Sequence, residues 1–108
     1  MKTIKIINIT SDAIKFSNGD TITFDHNQDC CEYNYADFQQ LDNLARAYKF
    51  EKPLLFETVP NAGFMFGDYR RKFFVPCSSD QNGYYTCEID IYHNGKRVLK
   101  FDAPYAED

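Results

Sequence analysis

The sequence predicts an α+β protein, in which a largely antiparallel sheet of six to seven short strands carries one packed helix. Short apolar runs alternate with polar residues between turn signals, which is the pattern of half-buried strands. Asn-Gly pairs begin at Asn18 and at Asn94 and are strong signals for β-hairpins. Ten Phe and eight Tyr supply ample core volume, and we expect residues 1–108 to form a single domain.

The first hairpin is predicted to join a strand at Ala13 to Phe16 with one at Thr21 to Phe24. A three-residue loop would pair Ile14 with Ile22, whereas a two-residue loop would put the apolar side chains on opposite faces. We therefore expect a type I turn closed by a G1 bulge, with Gly19 in a left-handed conformation. Four further strands are predicted, at Thr3 to Ile9, Leu54 to Val59, Gly63 to Tyr69 and Lys72 to Val75.

A helix is predicted over Asp37 to Tyr48, with Asp37 as its N-cap. Lys52-Pro53 limits how far it can extend, because the residue before a proline avoids the helical conformation. Apolar side chains recur at three- and four-residue spacing and define one buried face, made of Phe38, Leu41, Leu44, Ala45 and Tyr48.

The second hairpin is predicted near the C-terminus. Tyr84 to Tyr92 alternates between apolar and polar residues, and Arg97 to Phe101 is the returning strand. The turn is His93-Asn94-Gly95-Lys96, for which we expect a three-residue loop that pairs Ile89 with Leu99.

Twelve basic and sixteen acidic residues give a net charge of −4. Nucleic-acid binding requires several cations on one face, and the basic residues form only one cluster, Arg70-Arg71-Lys72. Nucleic acid is therefore not an expected partner. Arg70 and Arg71 either anchor a phosphate group or belong to a solvated strand end.

Neither a signal peptide nor a transmembrane helix is predicted, because no apolar run is long enough for either. We expect a cytoplasmic protein with no membrane contact and no cofactor. Thiols stay reduced in that compartment, so a Cys77–Cys87 disulfide is not expected.

The segment from Asp25 to Tyr33 holds an imidazole, two thiols and three carboxylates, and it has three interpretations. In the structural one, Cys30 and Cys31 are small buried side chains, while His26 and Asp29 close a loop. A zinc site would use His26, Cys30 and Cys31, although the C-x2-C spacing of zinc sites is missing. A thiol-dependent enzyme would use Cys30 or Cys31 as the nucleophile and His26 as the base.

A second segment, Asn82-Gly83-Tyr84-Tyr85, suits ligand binding. Gly83 would let a ligand approach the backbone closely. Tyr84 and Tyr85 face opposite sides of an extended chain, so one ring can enter the core while the other offers a stacking surface and a hydroxyl. The alternative interpretation is a β-turn followed by an ordinary aromatic strand.

Together these segments resemble a small uncharacterised domain family of bacteriophage and bacterial genomes, whose signatures are H-x-Q-D-C-C-E and N-G-Y-Y-[ST]. The first signature matches from His26 to Glu32 and the second from Asn82 to Thr86. The resemblance covers essentially the whole chain and implies a small α+β protein that is often phage-encoded. It implies no catalytic residue, because the family has no established activity.

We expect a non-enzymatic binding protein that acts on a host system, by binding a host protein or by sequestering a small, phosphate-bearing ligand. An exposed aromatic patch would anchor a protein partner. A small ligand could also be held at an interface between copies of the chain, so a homo-oligomer stays open. The candidate binding residues are His26, Asp29, Cys30, Cys31, Glu32, Arg70, Arg71, Asn82, Tyr84 and Tyr85.

Overall fold

The protein is built mainly from β-strands that form two larger sheets around a shared core. The structure is a computed structural model that describes residues 3–25, 33–81 and 87–105. The strands in these residues are β1 (Thr3–Ile4), β2 (Ile6–Ile9), β3 (Ala13–Phe16), β4 (Thr21–Asp25), β5 (Tyr33–Ala36), β6 (Phe50–Glu51), β7 (Leu55–Val59), β8 (Gly63–Gly67), β9 (Lys72–Asp80), β10 (Glu88–His93) and β11 (Lys96–Asp102).

The first sheet has the strand order β11-β10-β4-β3-β2, and the second has the order β5-β9-β8-β7. The remaining strands, β1 and β6, pair with each other. All strand pairs are antiparallel, so the antiparallel part of the prediction is confirmed. The predicted number of six to seven strands in one sheet was wrong, because the described residues form eleven strands in three sheets. Strands β5 and β6 were not predicted.

A bulge divides the pairing of β2 with β3. Ile6 pairs with Phe16 and Asn8 pairs with Lys15, so Ile7 is an extra residue on its strand. The bulge shifts the alternation by one, which lets Ile6 and Ile9 both face the core despite their odd spacing. Ile7 points outward and is 67% exposed.

The first hairpin confirms the predicted register. Ile14 pairs with Ile22, and Gly19 has a φ of 95°, in the left-handed region. The backbone N–H of Gly19 donates to the carbonyl of Phe16, and that of Phe16 donates to the carbonyl of Asp20. These bonds close a loop of three residues, which is the length that places Ile14 and Ile22 on the same face.

The second hairpin exists, but its predicted register was wrong. His93 pairs with Lys96 across a two-residue loop, in which Asn94 and Gly95 have φ values of 55° and 81°. Positive φ at both central positions is typical of a type I′ turn. A register shift after Ile91 then restores the alternation, so Ile89 pairs with Phe101 rather than with Leu99.

The two hairpin turns are tied together by polar bonds. The Asn94 Oδ1 accepts from the N–H of Thr21 at 2.8 Å, and the Asn94 N–H donates to the Thr21 carbonyl at 3.0 Å. Asp20 accepts from Asn94 Nδ2 at 3.1 Å, and its carboxylate lies 3.3 Å from His93 Nε2. Burial raises the pKa of Asp20, but its bonds with Asn94, Asn18 and His93 outweigh burial and keep that pKa below its usual value.

The predicted helix is broken into two short pieces. A 3₁₀ turn covers Phe38–Gln40, and the α-helix α1 covers only Asn43–Ala47. Leu41 between them is extended, and the Asp42 side chain caps α1 by accepting from the N–H of Leu44 at 2.9 Å. Because the break rotates the second piece, Leu44 is 58% exposed rather than buried.

The pairing of β8 with β9 requires glycine at both ends of β8. A Cβ at Gly63 would collide with the carbonyl oxygen of Val75, and one at Gly67 would collide with that of Arg71. Gly63 also has a φ of 156°, which side chains rarely allow. The two glycines therefore permit β8 and β9 to approach more closely than larger residues would.

The core is dominated by phenylalanine rings from both sheets. Phe16 of β3 makes edge contacts with Phe50 and Phe66, at centroid distances of 5.7 Å and 6.2 Å. Phe64 of β8 lies 6.3 Å from Phe101 of β11. These contacts join the inner faces of the two sheets. In the described part of the chain, no helix has the length and apolarity to cross a membrane.

Candidate binding face

Eight of the ten predicted binding residues lie outside the described residues, so their roles stay predictions. They are His26, Asp29, Cys30, Cys31, Glu32, Asn82, Tyr84 and Tyr85. The described residues that border them are close together. Tyr33, which follows the first motif, pairs with Asp80, and Gln81 immediately precedes the second motif. The flanks of the two motifs therefore meet on adjacent strands.

A buried polar cluster joins these flanks. Ser79 Oγ lies 2.5 Å from Asn34 Oδ1 and accepts from Gln81 Nε2 at 2.6 Å. Gln81 Nε2 also lies 3.6 Å from Cys87 Sγ, on the far side of the second motif. A hydrogen bond with Cys87 raises the pKa of the Tyr105 hydroxyl. Because Asn34 and Ser79 are almost fully buried, the cluster holds together the described residues that flank the two motifs.

Arg70, one of the two described candidates, already has anionic partners. Its Nη2 lies 3.5 Å from an Asp68 carboxylate oxygen and 3.7 Å from one of Glu51, and it donates to the Lys49 carbonyl at 3.1 Å. Its guanidinium also lies over the Tyr48 ring, 5.6 Å from the centroid. The local positive charge is thus largely balanced within the chain. The predicted contact with a phosphate group stays a prediction.

Arg71, the other described candidate, is exposed and contacts an aromatic ring. Its guanidinium lies 4.7 Å from the centroid of the Phe73 ring, and its backbone N–H donates to Asp68 at 3.0 Å. The cluster therefore serves partly as a strand end that packs against the sheet.

The described thiols do not form a metal or redox site. Cys77 and Cys87 are free thiols, and Cys77 is buried. Burial raises the pKa of Cys77 to about 12, so it stays protonated at neutral pH. Within the described residues, no group of three His, Cys, Asp or Glu side chains could hold a metal ion.

The most distinctive surface is the outward face of the second sheet, which we call the aromatic face. The register of the strands shows which side chains lie on this face. Phe74 pairs with Met65, Pro76 pairs with Gly63, and Tyr35 pairs with Ser78. Side chains two residues apart on one strand share a face. The apolar side chains of the aromatic face are Tyr33, Tyr35, Leu55, Val59, Met65, Phe74 and Pro76.

Several large side chains on the aromatic face are open to solvent. Tyr33 is 46% exposed, Phe74 is 38% exposed and Leu55 is 37% exposed. The rings of Tyr33 and Tyr35 stack with centroids 5.0 Å apart and an angle of 17° between their planes. The stack holds two large rings in a defined orientation on the outside of the protein.

The outward face of the first sheet provides an internal comparison. Lys15, Thr23, Asp90 and Lys100 lie on that side and give it a polar surface. This is the ordinary alternation of an antiparallel sheet with one solvated side. The second sheet departs from it, because its outward side carries aromatic and aliphatic residues.

Two acidic side chains, Glu57 and Asp80, also lie on the aromatic face. Glu57 pairs with Met65, and Asp80 pairs with Tyr33 on the neighbouring strand. Both acids are exposed, and neither forms an ion pair with a described residue. Lys72, which pairs with Gly67, lies on the same side. The face therefore combines an apolar stripe with two acidic side chains and one basic side chain.

The sequence contained one signal for this face that was not used. In the segment from Lys72 to Asp80, Phe74 and Pro76 alternate with Phe73, Val75 and Cys77. The first half of this strand therefore carries apolar side chains on both of its faces. A strand that is apolar on both faces is typical of burial on both sides or of a docking surface. Only the structure shows that one of these sides is open.

Fold and surface together define a small protein of two packed antiparallel sheets with one apolar outward face. Comparison with known proteins found no matching family model, no matching curated protein and no matching solved structure. The resemblance to a phage and bacterial domain family stays a prediction based on the two motifs.

Proposed function

We propose that this chain is a non-enzymatic binding protein that docks another protein against its aromatic face. The observation that carries the proposal is the exposure of Tyr33, Phe74 and Leu55 on the same side of one sheet. Exposed aromatic residues grouped on one surface are typical of protein interfaces.

The arrangement suits an interface for energetic reasons. Covering an exposed aromatic ring removes a large apolar area from water at little entropic cost, because Tyr and Phe have few rotatable bonds. The Tyr33–Tyr35 stack also limits how far both rings can move. A partner would therefore meet a surface that needs little rearrangement on binding.

The phage context implied by the two motifs makes a host protein the expected partner. Sequestration of a small ligand by Asn82, Tyr84, Tyr85 and His26 is the other form of the proposal. The support for this form is the buried cluster around Ser79, which joins the described flanks of the two motifs.

Site-specific photocrosslinking tests the proposal. A benzoylphenylalanine is introduced at position 74 or 35 on the aromatic face, and at position 15 on the polar face of the first sheet as the matched control. The protein is expressed in its native host cells and irradiated. We expect one adduct of defined mass from positions 74 and 35, and none from position 15.

The partner identified in this way is then purified and titrated. Phe74→Ala should weaken its Kd at least tenfold, whereas Lys15→Ala should leave the Kd within twofold. Equal adducts from both faces, no adduct from the aromatic face, or an unchanged Kd for Phe74→Ala would each contradict docking at this surface. A small-molecule adduct at position 74 would instead favour the sequestering form.

A further inference from the structure

This inference rests on the proposed function and concerns the two charged residues at the ends of β9. Lys72 begins the strand and Asp80 ends it. Side chains two residues apart share a side, so both lie on the outward side of β9, together with Phe74, Pro76 and Ser78. The strand has 9 residues, so its ends lie about 27 Å apart. Its outward side therefore carries a positive charge at one end, a negative charge at the other and apolar side chains between them.

Neither of these two charges has an ion-pair partner in the described part of the chain. Lys72 and Asp80 are too far apart to pair with each other. Gly67, which pairs with Lys72 across the sheet, has no side chain that could approach the ammonium group. Glu57 lies on the same side of the sheet, but β8 separates its strand from β9. The two ends of β9 can therefore offer opposite charges to a partner.

Two copies of the chain would satisfy these charges reciprocally. When the sheet stacks on a copy of itself about a two-fold axis that runs across the strands, β9 lies over β9 of the second copy in the opposite direction. Lys72 of each copy then faces Asp80 of the other, and Pro76, midway along the strand, lies near the axis. An axis along the strands would instead bring like charges together, which is repulsive. Charge therefore favours the antiparallel arrangement.

The packing of two sheets leaves room for these contacts. Stacked sheets lie about 10 Å apart, with their strands within about 30° of each other. The long, flexible lysine side chain can span that offset. Between the charged ends, Phe74, which is 38% exposed, would lose its contact with water. Glu57 would stay at the rim of the interface, because β7 is an edge strand.

The size of the face indicates a weak dimer. Its four strands have 4 to 9 residues and lie about 4.8 Å apart, so its area is on the order of 400 Å². A stable interface buries roughly 800 Å² on each partner. A dimer of this size would dissociate readily, so a host protein could displace the second copy.

We infer that the aromatic face pairs with the aromatic face of a second copy of this chain when no host protein occupies it, and that Lys72 of each copy pairs with Asp80 of the other. Phe74 and Pro76 lie between the two ion pairs. The second copy and the host protein compete for one surface, so binding of one excludes the other.

Sedimentation equilibrium of the purified full chain at low salt tests this inference. We expect a reversible equilibrium between monomer and dimer. Lys72→Glu and Asp80→Lys should each raise the Kd of the dimer about tenfold, because each substitution makes both ion pairs repulsive. Lys15→Glu and Asp102→Lys are the matched controls. They make the same charge changes on the first sheet and should leave the Kd within about twofold.

A mixture of the two variants tests the arrangement itself. The glutamate introduced at position 72 of one variant would face the lysine introduced at position 80 of the other, while the remaining Lys72 and Asp80 face each other. The equimolar mixture should therefore dimerise about as tightly as the unaltered chain. The double variant Lys72→Glu/Asp80→Lys, which exchanges the two charges, should also dimerise. Restored association requires folded protein, so it distinguishes loss of the contact from loss of the fold.

Three results would overturn the inference. One is an unaltered chain that stays monomeric at about 1 mM, where even a weak complex forms. The others are a dimer that neither substitution weakens, and two variants whose mixture fails to associate. Each of these results leaves docking of a host protein intact, since the crosslink from position 74 is measured separately. Absence of a host adduct at position 74, in contrast, contradicts a host partner even if the dimer forms.

Discussion

At the scale of single residues, the buried carboxylate of Asp68 organises the turn between β8 and β9. It accepts from the N–H groups of Glu51, Arg70 and Arg71 at 2.9–3.0 Å and from the Tyr48 hydroxyl. Burial would raise the pKa of Asp68, but these bonds outweigh burial and lower that pKa to about 2. Asp68 thus connects β6, the turn and the Tyr48 ring through one charged group.

Asp68→Asn should destabilise the protein by roughly 3 kcal/mol, because an amide nitrogen cannot accept the N–H groups that one carboxylate oxygen now satisfies. Chemical denaturation in urea measures the loss. Asp12→Asn is the matched control, since Asp12 is exposed and its carboxylate is not part of a buried network. Equal stability of the two variants would show that Asp68 is not important for the fold.

Asp68 should also make the free energy of unfolding depend on pH. Its pKa is lower in the folded protein than in the unfolded chain, so the unfolded chain binds more protons at acidic pH. The stabilisation by Asp68 is complete above about pH 4 and should be lost as the pH falls towards 2. In Asp68→Asn this part of the acid destabilisation should disappear, which urea titrations at pH 5, 3.5 and 2.5 can measure.

Arg70 illustrates what the sequence shows about a site and what it does not. The basic cluster and the nearby Asp68 are visible in the sequence, and they suggested a phosphate anchor. The sequence does not show that Asp68 is buried, or that Glu51 approaches Arg70 from a distant strand. Long-range pairing of this kind depends on the tertiary fold and cannot be inferred from local spacing.

At the scale of elements, the two hairpin turns show when the alternation of apolar side chains is enough to predict the length of a loop. The Gly19 loop was predicted correctly because only one loop length aligns Ile14 with Ile22. The Gly95 loop was predicted wrongly because a two-residue turn combined with a later bulge gives the same alternation. The sequence therefore specifies which faces are apolar, whereas it leaves open where the extra residue is inserted.

Gly63→Ala and Gly19→Ala form a matched pair of substitutions. Both glycines have positive φ, so each alanine should cost about 1–2 kcal/mol of backbone strain. A Cβ at position 19 has open space, whereas one at position 63 collides with the Val75 backbone. Gly63→Ala should cost roughly 3 kcal/mol more, since β8 and β9 would have to separate. Similar melting temperatures for the two variants would refute the close approach of these strands.

At the scale of the whole molecule, the two sheets share a core but differ in what they show to solvent. The inner faces could be predicted from the sequence, because isoleucine and phenylalanine alternate there with polar residues. The outward aromatic face could not, since Phe74 looks like a core residue until the arrangement of the sheets is known.

Phe73→Ala and Phe74→Ala compare how much the inner and the outward side of β9 contribute to stability. Phe73 is buried, so its truncation should cost about 4 kcal/mol. Phe74 faces outward, and its truncation should cost no more than about 1 kcal/mol. Thermal unfolding monitored by circular dichroism compares the two. A larger loss for Phe74→Ala would mean that its side is covered in the folded protein.

The bulge at Ile7 affects one of the sheet edges at which copies of this chain could pair in concentrated solution. Strand β2 is an edge of the first sheet, and its regular hydrogen-bond pattern is interrupted there. An added strand could not pair continuously along that edge, so the growth of a sheet from molecule to molecule is discouraged. The chain can thus expose the apolar aromatic face on its second sheet while the backbone edge at β2 resists fibre formation.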